Sequence, residues 1–257
     1  MIDLSKPRQS KVPEVVLAFW VIKIAATTLG ETGGDALSMT MHLGYALSTL
    51  IFSAFFIVAV AAQIRARAFH PFLYWAVIVA TTTAGTTMAD YADRSLGIGY
   101  PGGSLMLFLL LMGVLGSWWF SLGSVSASNI TSPKVEAFYW ATILFSNTLG
   151  TALGDWLAAT GLGYEGGALV FAGALALVAA ANFFTSASRV LLFWAAFILT
   201  RPLGATVGDL LTKPHAEGGL ELSRISSSVV IALFMVVCIL FLPQKAGSHP
   251  GQREQYP

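Results

Sequence analysis

Eight long apolar runs alternate along the chain with short breaks rich in glycine, proline and charge. They lie near residues 14–34, 42–63, 71–91, 103–122, 135–157, 166–187, 189–210 and 224–242. Each approaches the ~20 residues that an α-helix needs to cross a bilayer, so the pattern predicts eight transmembrane helices. The breaks at Gly33-Gly34, at Gly97 through Gly103 around Pro101, at Gly161 through Gly167 and at Pro214 through Gly219 carry helix-stop chemistry. Pro71 and Pro133 suit the first turn of the third and fifth helices, where a missing N–H costs no hydrogen bond.

The odd-numbered runs differ from the even ones by a recurring polar signature. Trp20, Trp75, Trp140 and Trp194 are each followed ten positions later by Gly30, Gly85, Gly150 and Gly204, and five positions after that by Asp35, Asp90, Asp155 and Asp209. The pattern recurs at intervals of 55, 65 and 54 residues, which makes the chain a fourfold tandem repeat of two-helix units. The units cover about 14–65, 71–122, 135–187 and 189–242, between tails 1–13 and 243–257. Because each unit has an even number of spans, all four share one orientation, and the expected pseudo-symmetry axis lies along the membrane normal.

On a helix of 3.6 residues per turn, positions 8, 11, 12 and 15 after each Trp share one face. They are Thr28, Glu31, Thr32 and Asp35 in the first unit and Thr83, Thr86, Thr87 and Asp90 in the second. The third has Thr148, Thr151, Ala152 and Asp155, with Asn147 beside them, and the fourth Pro202, Ala205, Thr206 and Asp209. Such a stripe is costly against lipid and is expected to face its counterparts. Gly30, Gly85, Gly150 and Gly204 each precede a small residue by four and read as helix-packing positions. The tryptophans read as interfacial belt residues, with a cavity-facing role as the alternative.

Composition changes the picture in one respect. At 56% hydrophobic, 11% charged and a formal charge of +1, the 257-residue chain offers no basic surface for nucleic acid, and its mean hydropathy of +0.73 places it in a lipid bilayer. Lys6, Arg8, Lys11, Arg65, Arg67, Lys134, Arg189, Lys245 and Arg253 fall on the side of the termini, against Arg94, Lys213 and Arg224 opposite, so both termini are expected in the cytoplasm. The first run leads straight into a repeat motif and reads as a retained span rather than a signal peptide. Cys238 stands alone, and His42, His70, His215 and His249 have no metal-ligand spacing.

Within the motif helices five acids, Glu31 and the four aspartates, face two bases, Lys23 and Arg201, a local charge of minus three that favours a cation. Oxygen-only ligands suit a hard ion such as Mn2+, Mg2+ or Ca2+. Asp90 and Asp155, with no base in their own runs, are the first ligand candidates. Arg201 calls for a carboxylate partner, most naturally an aspartate of a neighbouring unit, and Pro202 for a kink and hinge; Lys23 reads equally as a charge on the polar stripe or as a side chain reaching back to the inner interface.

Four two-helix units, each with a tryptophan and a Thr/Gly/Asp-rich first helix, resemble the bacterial multi-pass membrane proteins built from a repeat of unknown function. The resemblance covers residues 14–242 and implies a bacterial inner-membrane protein, with Arg201-Pro202 departing from the pattern in the fourth unit. The resemblance carries no activity; the polar stripes of the four odd helices, surrounding a pathway, make transport the expected function, with the bilayer and a small ion or molecule as partners and no required cofactor. The leading substrate is a hard divalent cation, with proton coupling chemically natural. The alternative is a small anion or metabolite held by Lys23 and Arg201. An assembly subunit or an intramembrane enzyme ranks below, since no nucleophile or histidine base accompanies the acids.

Overall fold

The computed structural model describes residues 11–66, 68–123, 125 and 132–247. Lys6, Arg8, Arg67, Arg253 and His249 lie outside the described residues, as do 1–10 and 248–257 of the two tails. The described residues are all-α, with eight α-helices: α1 (Leu17–Asp35), α2 (Gly44–Arg65), α3 (Pro71–Asp90), α4 (Gly99–Leu122), α5 (Pro133–Leu157), α6 (Gly163–Phe184), α7 (Arg189–Thr212) and α8 (Arg224–Phe241). Six continuous segments among the described residues are long and apolar enough to cross a membrane. One of these, Pro133–Phe184, contains both α5 and α6. α1 is not among the six, because Lys23, Glu31 and Asp35 fall within its 19 residues.

Local chemistry sets the helix starts. Pro71 and Pro133 occupy first-turn positions, and the side chains of Ser132, Ser188 and Ser223 accept from the backbone N–H three residues on, satisfying otherwise orphaned donors. Several expected stops prove to be helical. Gly33-Gly34 lies inside α1, and Pro101 sits in the first turn of α4, where its missing N–H has no intrahelical acceptor to lose. Beyond α1, α3 and α5 the backbone continues through one π-helical turn, Ala36–Thr40, Tyr91–Ser95 and Ala158–Leu162, before the chain reverses. Gly44, Gly99 and Gly163 open the following helices at φ of 73°, 71° and 64°, a conformation that favours glycine.

The odd helices form a closed inner ring in which α1 packs on α3 and α7, and α5 packs on α3 and α7. The even helices form an outer layer with a shifted pairing: α2 lies on α3, α4 on α5, α6 on α7, and α8 returns to α1. Each unit therefore covers the first helix of the next, and the last covers the first. The outer helices expose large apolar residues such as Leu50, Ile57, Leu109, Leu177, Val230 and Phe241, the surface expected of lipid-facing spans.

Each unit also places two consecutive aromatic residues at the termini end of the ring: Phe19-Trp20, Tyr74-Trp75, Tyr139-Trp140 and Phe193-Trp194. Phe19 meets Trp75 at 5.6 Å between ring centroids, Tyr74 meets Trp140 at 5.9 Å, and Phe193 meets Trp20 at 5.8 Å. Trp75 and Trp140 are thus buried in an aromatic core, where the lipid-interface reading had placed an exposed belt. Trp75 also donates to Gln244 Oε1 at 3.1 Å, and backbone bonds between Val12–Glu14 and 245–247 tie the two ends of the described chain across this face.

Candidate functional site

The residues that converge between the four odd helices are those 3, 7, 11 and 15 positions after each tryptophan. Spaced by four, they stack on one face of each helix. The layers, from the aromatic end outward, are Lys23, Ile78, Ile143 and Phe197; Thr27, Thr82, Asn147 and Arg201; Glu31, Thr86, Thr151 and Ala205; and Asp35, Asp90, Asp155 and Asp209. All sixteen are buried. Positions 8 and 12, assigned to the same stripe from sequence, are buried too but serve helix packing. Thr28, Thr83 and Thr148 return their hydroxyls to backbone carbonyls four residues back, and so does Thr87. Thr32 accepts from Ser228 of α8, and Thr206 lies against Gly167 of α6.

Glycine lets this ring close. A Cβ on Gly30 would stand 2.4 Å from Thr82, one on Gly204 2.5 Å from the Thr27 Cβ, and one on Gly150 2.7 Å from Arg201. Gly85 faces the Asn147–Thr148 backbone at 3.1–3.3 Å. In each unit the glycine at position 10 receives position 7 of the next odd helix, and the fourth unit receives the first. Backbones brought this close let hydroxyls bond across helices: Thr82 donates to the Ala26 carbonyl (3.2 Å), Thr27 to the Thr200 carbonyl (3.0 Å), and Asn147 Nδ2 to Thr81 Oγ1 (2.9 Å).

Arg201 binds all four helices together. Its Nη2 pairs with Glu31 Oε2 at 3.2 Å and donates to Thr86 Oγ1 at 2.6 Å and to Thr151 Oγ1, while Nη1 reaches the Thr27 carbonyl at 3.3 Å. The partner expected for Arg201 was an aspartate; the carboxylate it meets is Glu31 of the first unit. Pro202 lies inside a continuous α7 and packs against Gly150 and Gly154. Lys23 does not snorkel. Its side chain is fully buried, its Nζ has no hydrogen-bond partner, and it lies 4.2 Å from the centre of the Phe197 ring.

The aspartate layer divides in two. Asp90 and Asp155 share Arg94, with Arg94 Nε to Asp90 Oδ1 at 2.9 Å and Nη2 to Asp155 Oδ2 at 3.4 Å. Asp35 and Asp209 share Lys213, with Nζ to Asp35 Oδ2 at 2.5 Å and to Asp209 Oδ1 at 3.0 Å; Arg224 Nε approaches Asp35 at 3.7 Å. Oxygens of Glu31, Asp35 and Asp209, one from each, lie within 4.8 Å of one another. Lys213 stands just past the last span residue of α7. Burial works against its ammonium, but Asp209 and Asp35 outweigh burial and hold its pKa well above the ordinary lysine value.

These contacts correct the charge count. Arg94, Lys213 and Arg224 had been placed in outer loops, yet all three reach the aspartate layer. The five acids are then balanced in number by five bases, four of them in contact with the acids and Lys23 apart, and with Asp93 a further buried acid at this end the surplus falls from three negative charges to one. The missed partners did leave a signal: Arg94 lies four residues after Asp90 and Lys213 four after Asp209, the spacing of a helical ion pair. A second missed signal is the Gly-Tyr pair that opens three even helices. Tyr45 accepts from Arg94 at 3.3 Å, and Tyr100 and Tyr164 line a pocket of about 140 Å³ with Arg94, Asp155 and Glu217.

A family profile described as Repeat of Unknown Function (DUF347) matches four times, at residues 18–69, 73–124, 138–188 and 192–244. The chain belongs to the DUF347 family. No curated protein and no solved structure matches it. Each DUF347 repeat contains one odd and one even helix, so the site is assembled from all four repeats and the aspartate of each closes one quarter of the outer layer. The DUF347 repeats are not equivalent in chemistry. The first and fourth carry Lys23, Glu31, Arg201 and Lys213, whereas the second and third present threonine or asparagine at the two middle layers.

Proposed function

We propose that this DUF347 protein is a transporter of the bacterial cytoplasmic membrane, with both termini cytoplasmic, and that its pathway is the polar column between the odd helices. The substrate is a small hard divalent cation, Mn2+-like, moved with proton coupling by the buried carboxylates. The observation that carries this reading is the group of Glu31, Asp35 and Asp209, whose oxygens approach within 4.8 Å of one another. Two oxygens on opposite sides of an ion at ~2.2 Å stand ~4.4 Å apart, so the spacing fits ligands of one ion. Oxygen donors without histidine or cysteine select a hard cation. The column runs from the Asp layer inward to Lys23, and the aromatic core closes it there, so passage requires that core to part.

Flux into proteoliposomes loaded with a Mn2+-sensitive dye tests the reading. Wild type is expected to admit Mn2+, and Asp35→Asn and Asp209→Asn to reduce the rate at least ~100-fold, comparable with losing a charged ligand of several kcal/mol. Wild-type flux in both variants would refute it. A second reading, a small anion, is favoured by Lys23, a buried Nζ with no acceptor. It is tested by thermal stabilisation with sulfate or phosphate that disappears in Lys23→Gln.

A further inference from the structure

We infer that Lys213 is a tethered cation: its ammonium fills the place between Asp35 and Asp209 that the transported ion takes, and ion binding is an exchange against it. The inference rests on the proposed cation pathway. The 2.5 Å contact to Asp35 is a charge-assisted hydrogen bond and the 3.0 Å contact to Asp209 an ion pair, and Nζ also lies 3.9 Å from the Met39 thioether, a weak acceptor. The ammonium leaves acceptor capacity unused, because Asp35 Oδ1 is buried and has no hydrogen-bond partner. The place therefore suits a ligand that draws on more carboxylate oxygens than a lysine engages.

Charge follows the same logic. Glu31 is matched by Arg201, so Asp35 and Asp209 present two negative charges. Lys213 supplies one positive charge and Arg224, at 3.7 Å and partly exposed, approaches with a second. A divalent ion in the place of Lys213 matches both carboxylate charges from a single point, without the help of Arg224. The tether is also in place. Lys213 is the first residue after α7, its backbone is extended before Pro214, and its carbonyl is held by Glu221 N at 3.0 Å. The backbone stays anchored while a flexible four-carbon stem can swing the ammonium toward Glu217 and Glu221, both exposed at the mouth.

The experiment measures thermal unfolding of the 257-residue chain in detergent against Mn2+ and Ca2+ concentration, for wild type, Lys213→Gln and Lys213→Arg. Lys213→Gln is expected to respond at a metal concentration at least ~10-fold lower than wild type, and Lys213→Arg, which keeps a charge in the place, to respond no more tightly than wild type. If Lys213→Gln is unstable alone, recovery with Mn2+ or Ca2+ but not with sodium at matched ionic strength supports the exchange. An unstable variant that metal does not restore overturns it. Equal metal responses in wild type and Lys213→Gln, with wild-type flux intact, overturn the tethered role and leave transport standing. Tighter metal binding by Lys213→Gln with no flux in wild type keeps the exchange site and removes transport. No response in any variant overturns the inference.

Discussion

The two halves of the aspartate layer use the same motif in different surroundings. Asp90 and Asp155, on α3 and α5, share an arginine whose side chain is 30% exposed beside the pocket at the mouth. Asp35 and Asp209, on α1 and α7, share a lysine only 3% exposed, with Glu31 and Arg201 beneath them. A guanidinium spans two carboxylates as a fixed fork, whereas an ammonium holds them as a point charge, the role that a small ion can also fill. All four aspartates are buried, so it is the shared cation, enclosed in one half and solvent-touched in the other, that makes the proposed ion place of one pair and a clasp of the other. The sequence distinction between charged units one and four and threonine-rich units two and three becomes a distinction between two adjacent helix pairs.

The largest test of this contrast is Arg201→Met. It leaves the Glu31 carboxyl buried without its partner in the deep layer and is expected to destabilise the protein by ~3–5 kcal/mol, read by chemical unfolding in detergent. Adding Glu31→Met should recover most of that loss, because the cost lies in the orphaned carboxyl. Next is Gly204→Ala, where the new Cβ meets Thr27 at 2.5 Å or less; overpacking of this kind costs ~1–3 kcal/mol. Gly85→Ala, at 3.1 Å and beyond from its neighbours in the other half, is expected to cost less by the same assay, and equal losses would erase the difference in closeness between the two halves. The smallest effect among the charge changes is expected for Arg94→Gln. Asp90 and Asp155 are buried, but Arg94 is 30% exposed and water can take part of its place, so the loss should stay below that of Arg201→Met and shrink further in high salt.

Hydropathy and the Trp/Gly/Asp spacing were enough to read eight helices and four repeats, because span length and the recurring motif are written locally. The lining face was harder. In a ring whose helices are buried both toward the axis and toward an outer layer, Thr87 and Thr86 look alike in the sequence, yet only Thr86 meets Arg201 and Glu31. Nor does helical periodicity reveal that α2 covers α3 rather than α1, since that choice depends on packing between units. Gly33-Gly34 was misread as a stop for a related reason: Gly34 leaves room for Thr86 of α3, so its role belongs to another helix. Arg94 and Lys213 were legible in principle through their spacing of four from Asp90 and Asp209, but the loop assignment hid it.

The return of α8 to α1 has a consequence for how the protein is made. While the ribosome delivers the chain in order, α1 waits without its outer cover until α8 emerges, so of the four odd helices the one made before the others is shielded after them. Segments 12–14 and 245–247 also lie side by side at that seam, joined by two backbone hydrogen bonds. A circular permutant joined there and opened between the second and third units would preserve every helix contact while changing which charged helix enters the bilayer first.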